Sequence, residues 1–340
     1  MPTDPIFDSI TTPQVRDLAW VIKSPVLLNA ARPPHELAPA FEAVSGFCAK
    51  ELIIDDLWCE QQFQLHRNWL CDLDRSSQPL LDWLKPRRTR YKPRLGYYFE
   101  SLVEFWLRRA FAHQVLVPHL QVKNQHRTLG EFDYLLADSS TQIVHHWEVA
   151  VKFYLHYQHA DGRVLWYGPN PRDRLDIKLQ HLFHHQLVLS LRPEAAEAFW
   201  RAGLGPVSTW PVLPRLFLKG YLFYPSNSDW RNHVSFPALS PHHLRGWWTY
   251  LDPFVIPRAD EDRRWLYLPR LHWLAPAVSE ESNNGLMNIG QLHSFCLDLL
   301  QRNQKPPLIA EMAITESGDW REVSRGFVVP QYWPGINAKQ

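Results

Sequence analysis

GEFDYLLADSSTQIVHHWEVAVKFYL, residues 130–155, holds two runs rich in β-branched and aromatic residues on either side of a short turn, DSST at positions 138–141. Runs of this kind, bounded by turn-forming residues, predict an antiparallel pair of strands. The second run, 143–155, is apolar at nearly every position, as suits a strand covered on both faces. Glu148 and Lys152 interrupt it. Side chains alternate along a strand, so positions 148, 150 and 152 project from one face. Asp133 interrupts the first run in the same way, with Glu131 on its face. Pairing across the turn can set Asp133 beside Glu148. Burying charges is costly unless they are paired or used, so this convergence is the first candidate site. A structural same-face ion pair between Glu148 and Lys152 is the alternative.

Working outward, residues 115–122 predict another strand. Residues 96–112 predict a helix, with Phe99, Leu102, Val103, Trp106 and Ala110 on one apolar face. Before it lies KPRRTRYKPR, 85–94, whose spaced prolines predict an extended connector. Residues 12–22 and 41–73 predict helices. Downstream, Asp161-Gly162 predicts a hairpin to 163–167. Asn170, Pro171 and Asp173 predict the capped start of a helix running to about Ser190. Residues 215–224 then predict a strand. Beyond residue 226, strand-like segments at 265–271, 307–314 and 326–330 accompany a helix at 288–302. The expected fold class is α/β. A core at 85–225 would have a mixed, mainly four-stranded sheet flanked by helices. A helical N-terminal extension (1–84) and a C-terminal α+β extension (226–340) would complete the chain.

Of 340 residues, 45% are apolar and 21% charged, the balance of a globular protein with a real core. No stretch approaches the roughly 18 uninterrupted apolar residues of a membrane helix. The opening MPTDPIFDSITTP carries acidic residues and prolines where a signal peptide would be basic and then apolar. No membrane association and a cytoplasmic location are therefore expected. Cys48, Cys59, Cys71 and Cys296 form no CxxC pair, which points to buried free thiols. Lys and Arg number 36 against 35 Asp and Glu, so any nucleic acid must be met by local patches.

Two carboxylates beside a lysine suit one chemistry well. Mg²⁺ takes a few carboxylate oxygens, leaving positions for water and phosphate. Such an ion polarises a phosphodiester and lowers the pKa of bound water, while a lysine orients that water or offsets developing charge. The order of residues resembles the PD-(D/E)XK nuclease superfamily, which sets a helical Glu, an Asp and a (D/E)xK on a helix–three-strand–helix–strand core. The matching positions are Glu100 in GYYFESL, Asp133 in GEFD, and Glu148 with Lys152 in WEVAVK. GEFD also fits the GxxD pattern of the exonuclease-like branch.

The resemblance implies a restriction-endonuclease-like core with Glu100, Asp133 and Glu148 holding Mg²⁺ or Mn²⁺. It also implies that the following helix supplies Lys178, Gln180 or Gln186. One departure stands out: the family's lysine lies two residues after the acid, where this chain has Ala150. Lys152 is displaced by about 6–7 Å along the same face, and Lys178 is the second candidate. More narrowly, LGYYFE, LGEFDYLL, HHWEVAVKFYL and GFVVPQYWP resemble an uncharacterised bacterial family, domain of unknown function 1853, over most of the chain.

The expected function is Mg²⁺-dependent hydrolysis of phosphodiester bonds, with DNA as substrate. Arg87, Arg88, Arg90, Lys92 and Arg94, with Gln180 and Gln186, are the expected nucleic-acid contacts. One alternative is a catalytically silent nuclease-like protein that binds nucleic acid or a protein partner. Another is a zinc hydrolase using His181 and His185, one helical turn apart. Blander readings stand beside these. Glu100, Glu104 and Arg108 form a stripe that suits a solvated helix face, the basic run suits a solvated linker, and the 16 tryptophans suit a core better than base stacking.

Overall fold

The strand pair expected at 130–155 forms, and it belongs to a far larger sheet. A computed structural model describes Phe7 and residues 9–335, apart from 35–36, 47, 91–93, 113, 206–208, 234–235, 257–261, 280–284, 304 and 317. Strands β1 (Val115–Lys123), β2 (Thr128–Asp138) and β3 (Ile143–Gln158) make an antiparallel meander. β4 (Val164–Tyr167) folds back onto the end of β3. β5 (Val212–Pro225) lies parallel to β3, and β6 (Leu244–Tyr250) parallel to β5. The rest of the sheet comprises β7 (Arg263–Leu268), β8 (Val278–Ser279), β9 (Leu286–Met287), β10 (Leu308–Ile314) and β11 (Trp320–Val329). The order is β1-β2-β3-β5-β6-β11-β10-β7-β9, with β4 and β8 off this path, 11 strands in one sheet among the described residues.

The expectation of a mainly four-stranded sheet is therefore corrected. The C-terminal strands extend the same sheet through β6, which lies parallel to both β5 and β11. Parallel pairs such as Trp247 with Gly326 join positions far apart in the chain, and no local pattern announces them.

Helices cover both faces. α1 (Pro13–Lys23), α4 (Asp56–Arg75), α5 (Gln78–Arg90) and α6 (Leu95–Ala110) pack on one side. α2 (Ala38–Ser45), α3 (Ala49–Leu52), α7 (Leu175–His181) and α8 (Pro193–Arg201) pack on the other. α9 (Ile289–Asn303) covers the far end, with Leu292, Cys296 and Leu300 against Trp265 and Ile309. The alternation of β3 shows the division. Trp147, Val149, Val151, Phe153 and Leu155 enter the core with Phe99 and Trp106, while Tyr154 enters the opposite core with Leu175, Leu179 and Phe183. Each fully buried side chain of this size contributes about 1.5–3 kcal/mol. Gly220 on β5 has φ +142° opposite Lys152, and a Cβ there would collide with the Lys152 carbonyl. Only glycine allows that approach.

Three local expectations are also corrected. The basic run 85–94 is not extended as far as Arg90, because α5 continues through Pro86. Leu80 and Leu84 anchor that helix in the core, and Trp83 Nε1 donates to the Ser101 carbonyl at 2.9 Å. Packing overrides the local cost of the proline. The segment 41–73 is broken into α2, α3 and α4 by Gly46 in a left-handed C-cap and by Asp55 capping Trp58 N at 2.8 Å. The helix after Asn170 begins only at Leu175, since Asn170 to Asp173 form a turn and Asp173 instead accepts from Tyr154 Oη at 3.0 Å.

All four cysteines are free, but only Cys59 and Cys296 are buried, and the expectation of a buried thiol is corrected at Cys48, which is exposed; Trp247, Trp248 and Trp265 are buried in the core. Among the described residues no helix is long and apolar enough to cross a membrane.

Candidate active site

β2 and β3 stay paired from Asp138–Ile143 to Tyr134–Trp147 and then part. The next residues on the two strands are Asp133 and Glu148. As the ladder ends, a side chain takes over: Asp133 Oδ2 accepts the Val149 N–H at 2.9 Å. The carboxylate is thus held at the mouth of the fork by the backbone of β3. α6 is tied to the same place, because Tyr134 Oη donates to the Glu100 carbonyl at 2.8 Å. Glu100 itself is half-buried and faces the charges of Asp133, Glu131 and Glu148. The solvated-stripe reading does not describe this helix. Glu104, one turn on, is buried and pairs with Arg108 at 2.8 Å.

Glu148 is buried, with Oε1 2.8 Å from His146 Nε2 and Oε2 3.4 Å from Gln186 Nε2. His146 is fully buried and edge-on to Phe132, ring centroids 4.6 Å apart. It was not among the expected site residues. The available signal was a second polar residue two positions before Glu148, on the same face of an apolar strand.

Gln186 reaches Glu148 through a π-helical turn, Leu182–Gln186, that continues α7. Eight α-helical steps from Lys178 would rotate by about 800°, well past two full turns. A π turn absorbs one extra residue, leaving about seven effective steps and returning position 186 to within roughly 20° of Lys178. The glycine of GEFD makes room for this turn, since a Cβ at Gly130 would meet Leu189 Cδ1 at 3.0 Å and Gln186 Oε1 at 3.5 Å. Gln186 Nε2 also lies 3.4 Å from the Glu131 carbonyl. Gln180, by contrast, is exposed and makes no hydrogen bond to these carboxylates among the described residues.

Both candidate lysines are half-buried, and they serve different neighbours. The charge of Lys178 favours ionisation of Asp133 and of Glu148. Lys152 interacts with Asp173 and Glu100, and burial lowers its pKa. No Glu148–Lys152 ion pair forms among the described residues. Of the basic run, Arg94 is exposed at the N-cap of α6, its guanidinium 5.8 Å from the Tyr97 ring centroid. Lys92 and the side chains of Arg87, Arg88 and Arg90 lie outside the described residues.

The fork is electrostatically strained. Burial pushes the Glu148 carboxyl up to about 8, against the lowering effects of Gln186 and Lys178. Burial, then the Glu148 charge, holds Asp133 well above its usual range. Burial, then the Asp133 charge, pushes Glu100 up to about 7. Burial lowers His146 to about 3, so its ring is neutral. None of the three carboxylates forms an ion pair with a lysine or arginine among the described residues. Perturbed carboxylates of this kind cluster at functional sites.

A family model described as Domain of unknown function (DUF1853) matches residues 16–329. The chain belongs to that family. The match runs from α1 to the end of β11, so the fork and the whole sheet lie within the DUF1853 unit. No curated protein and no solved structure matches the chain.

Which ion this DUF1853 chain could hold follows from its donors. Among the described residues no group of three or more His, Cys, Asp or Glu side chains is gathered to hold a metal. A closed protein cage, as a structural zinc needs, is therefore absent from that part of the chain. His181 and His185 stack with ring centroids 4.8 Å apart, and His185 Nδ1 lies 3.1 Å from Gln186 Oε1. Asp133 and Glu148 offer carboxylate oxygens from two strands, with Glu100 beyond them. That fits Mg²⁺ or Mn²⁺, because Mg²⁺ is usually held by one or two carboxylates and otherwise by water and substrate phosphates.

Proposed function

We propose that this chain is a metal-dependent nuclease that hydrolyses phosphodiester bonds of DNA, with Mg²⁺ or Mn²⁺ held by Asp133 and Glu148 and assisted by Glu100. The observation that carries this reading is the fork itself: Glu100 and Asp133 both face Glu148, burial and neighbouring carboxylate charge raise all three pKa values, and among the described residues no lysine or arginine lies at ion-pair distance from them. A second support is the run α6–β1–β2–β3, followed after the short β4 by the helices α7 and α8 and then by β5, which lies parallel to β3. It agrees with the helix–three-strand–helix–strand core of the PD-(D/E)XK nucleases that the sequence resembles.

When bound, the ion supplies polarisation of the scissile phosphate and a water of lowered pKa. The protein's own groups do the rest. The Val149 N–H aims Asp133, and His146 and Gln186 hold the two oxygens of Glu148. Lys178 offsets the negative charge that grows on the phosphate oxygens. It fills the role left vacant at Ala150, two residues after Glu148, where the resembled family has its lysine. Lys152, engaged with Asp173, contributes less.

Cleavage of labelled single- and double-stranded DNA with Mg²⁺, Mn²⁺ or EDTA tests the reading. Asp133→Asn and Glu148→Gln should each lower turnover by at least about 10³-fold, the equivalent of about 4 kcal/mol, with circular dichroism unchanged. Lys178→Ala should lower kcat by about 10²–10³-fold with KM little changed, and Lys152→Ala by less. Cleavage at the wild-type rate by both carboxylate variants would remove the assignment. A folded wild type that cuts no DNA with either ion would point to a nuclease-like binding protein without activity.

A further inference from the structure

We infer that His146 is a positioning residue for Glu148, its imidazole donating Nε2–H to Oε1 and fixing the carboxyl group in the fork. The inference rests on the placement of Glu148 in the active site. His146 and Glu148 are two positions apart on one face of β3, so the strand itself sets their separation. The imidazole is fully buried, with the Phe132 ring perpendicular to it at 89°. Its Nδ1 is buried with no hydrogen-bond partner among the described residues.

A neutral imidazole has one N–H and one lone pair. The hydrogen bond made by one ring nitrogen decides which carries the proton. Among the described residues the one partner of the ring is Glu148 Oε1, 2.8 Å from Nε2. The proton therefore belongs on Nε2, and the lone pair remains on the unpartnered Nδ1. Packing alone does not ask for histidine at this position. Leucine or phenylalanine would fill the space without stranding a nitrogen. What histidine adds is a rigid donor that holds one oxygen from inside. Among the described residues Oε2 has only the long contact to Gln186 at 3.4 Å, and it is the oxygen left for a ligand. Groups that orient a metal's ligands from behind commonly matter almost as much as the ligands.

Two variants separate positioning from core filling. His146→Leu keeps apolar volume and removes the donor; His146→Gln keeps an amide N–H near the place of Nε2. In metal-free wild type, a long-range ¹H–¹⁵N spectrum should show the Nε2–H tautomer, perturbed by Glu148→Gln. A proton on Nδ1, or on both nitrogens, overturns the inference whether or not the chain cuts DNA. His146→Leu should weaken Mn²⁺ binding in calorimetry and lower kcat by about 10–100-fold, with KM for DNA unchanged, and His146→Gln should recover most of both. Equal losses in the two variants, or a change confined to KM, would make His146 merely structural. If His146→Leu fails to fold, the tautomer and the Gln variant decide. If wild type itself binds no Mn²⁺ and cuts no DNA, the nuclease reading fails separately, and the tautomer still reports whether His146 holds Glu148.

Discussion

Arg325 on β11 and the carboxylates at the β2–β3 fork are both withdrawn from water, yet they are satisfied on opposite terms. The Arg325 guanidinium grips Glu322 through two bonds, Nε to Oε1 at 2.5 Å and Nη2 to Oε2 at 2.9 Å. Its remaining hydrogens go to the carbonyls of Trp273, Leu274 and Ala275, and its face lies 4.4 Å from the Tyr221 ring centroid. At the fork, Asp133 takes one backbone N–H, Glu148 takes a neutral histidine and a distant glutamine, and like charges face each other. A buried charge with every partner in place stabilises the fold's geometry. At the fork, the proposed metal site, no lysine or arginine completes the set among the described residues.

The largest expected effect comes from breaking the satisfied cluster. Arg325→Met strands Glu322 and three carbonyls and should cost about 3–5 kcal/mol in urea unfolding. Asp133→Asn in metal-free protein should cost nothing or stabilise, because it relieves repulsion at the proposed metal site. If the two substitutions destabilise equally, the contrast between the regions is gone.

A somewhat smaller effect sharpens the comparison through pH. Asp17 lies beside the Arg325 cluster, accepting from Tyr98 Oη at 2.7 Å and from the Ala275 N–H at 3.1 Å. Burial nonetheless pushes its carboxyl from 3.8 up to about 6. The folded protein then holds that proton more tightly than the unfolded chain does. The stability it contributes is full below the unfolded value and is lost as pH rises through about 6. Between about pH 4 and 7, wild type should lose roughly 2–3 kcal/mol relative to Asp17→Asn. A gain over that window would mean that pairing with Arg325, rather than burial, governs Asp17.

How much of this was legible in the sequence depends on the range of the interaction. The β2–β3 pair, the apolar face of α6 and the turn at Asp138 follow from local alternation, helical spacing and turn chemistry. Asp133 and Glu148 stood out because each breaks an apolar run. The joining of β6 to β5 and β11 was not legible, because parallel partners such as Trp247 and Gly326 share no local pattern. The helix through Pro86 was hidden because Leu80 and Leu84, packing at a distance, decide it. The choice of Gln186 over Gln180 rests on a π turn that a regular helical wheel misplaces. The choice of Lys178 over Lys152 rests on which carboxylates each side chain faces. His146 was readable in principle, as a polar residue on the Glu148 face, but its bond to Oε1 was not.

Thermal unfolding of wild type and Asp133→Asn, each with and without Mn²⁺, tests most directly whether the fork is a metal site. A ligand that binds only the folded state at about 100 times its Kd stabilises it by about 2.7 kcal/mol. Wild type should gain that much from Mn²⁺, and Asp133→Asn should gain nothing. A wild type indifferent to Mn²⁺, or an equal gain in Asp133→Asn, would contradict the account.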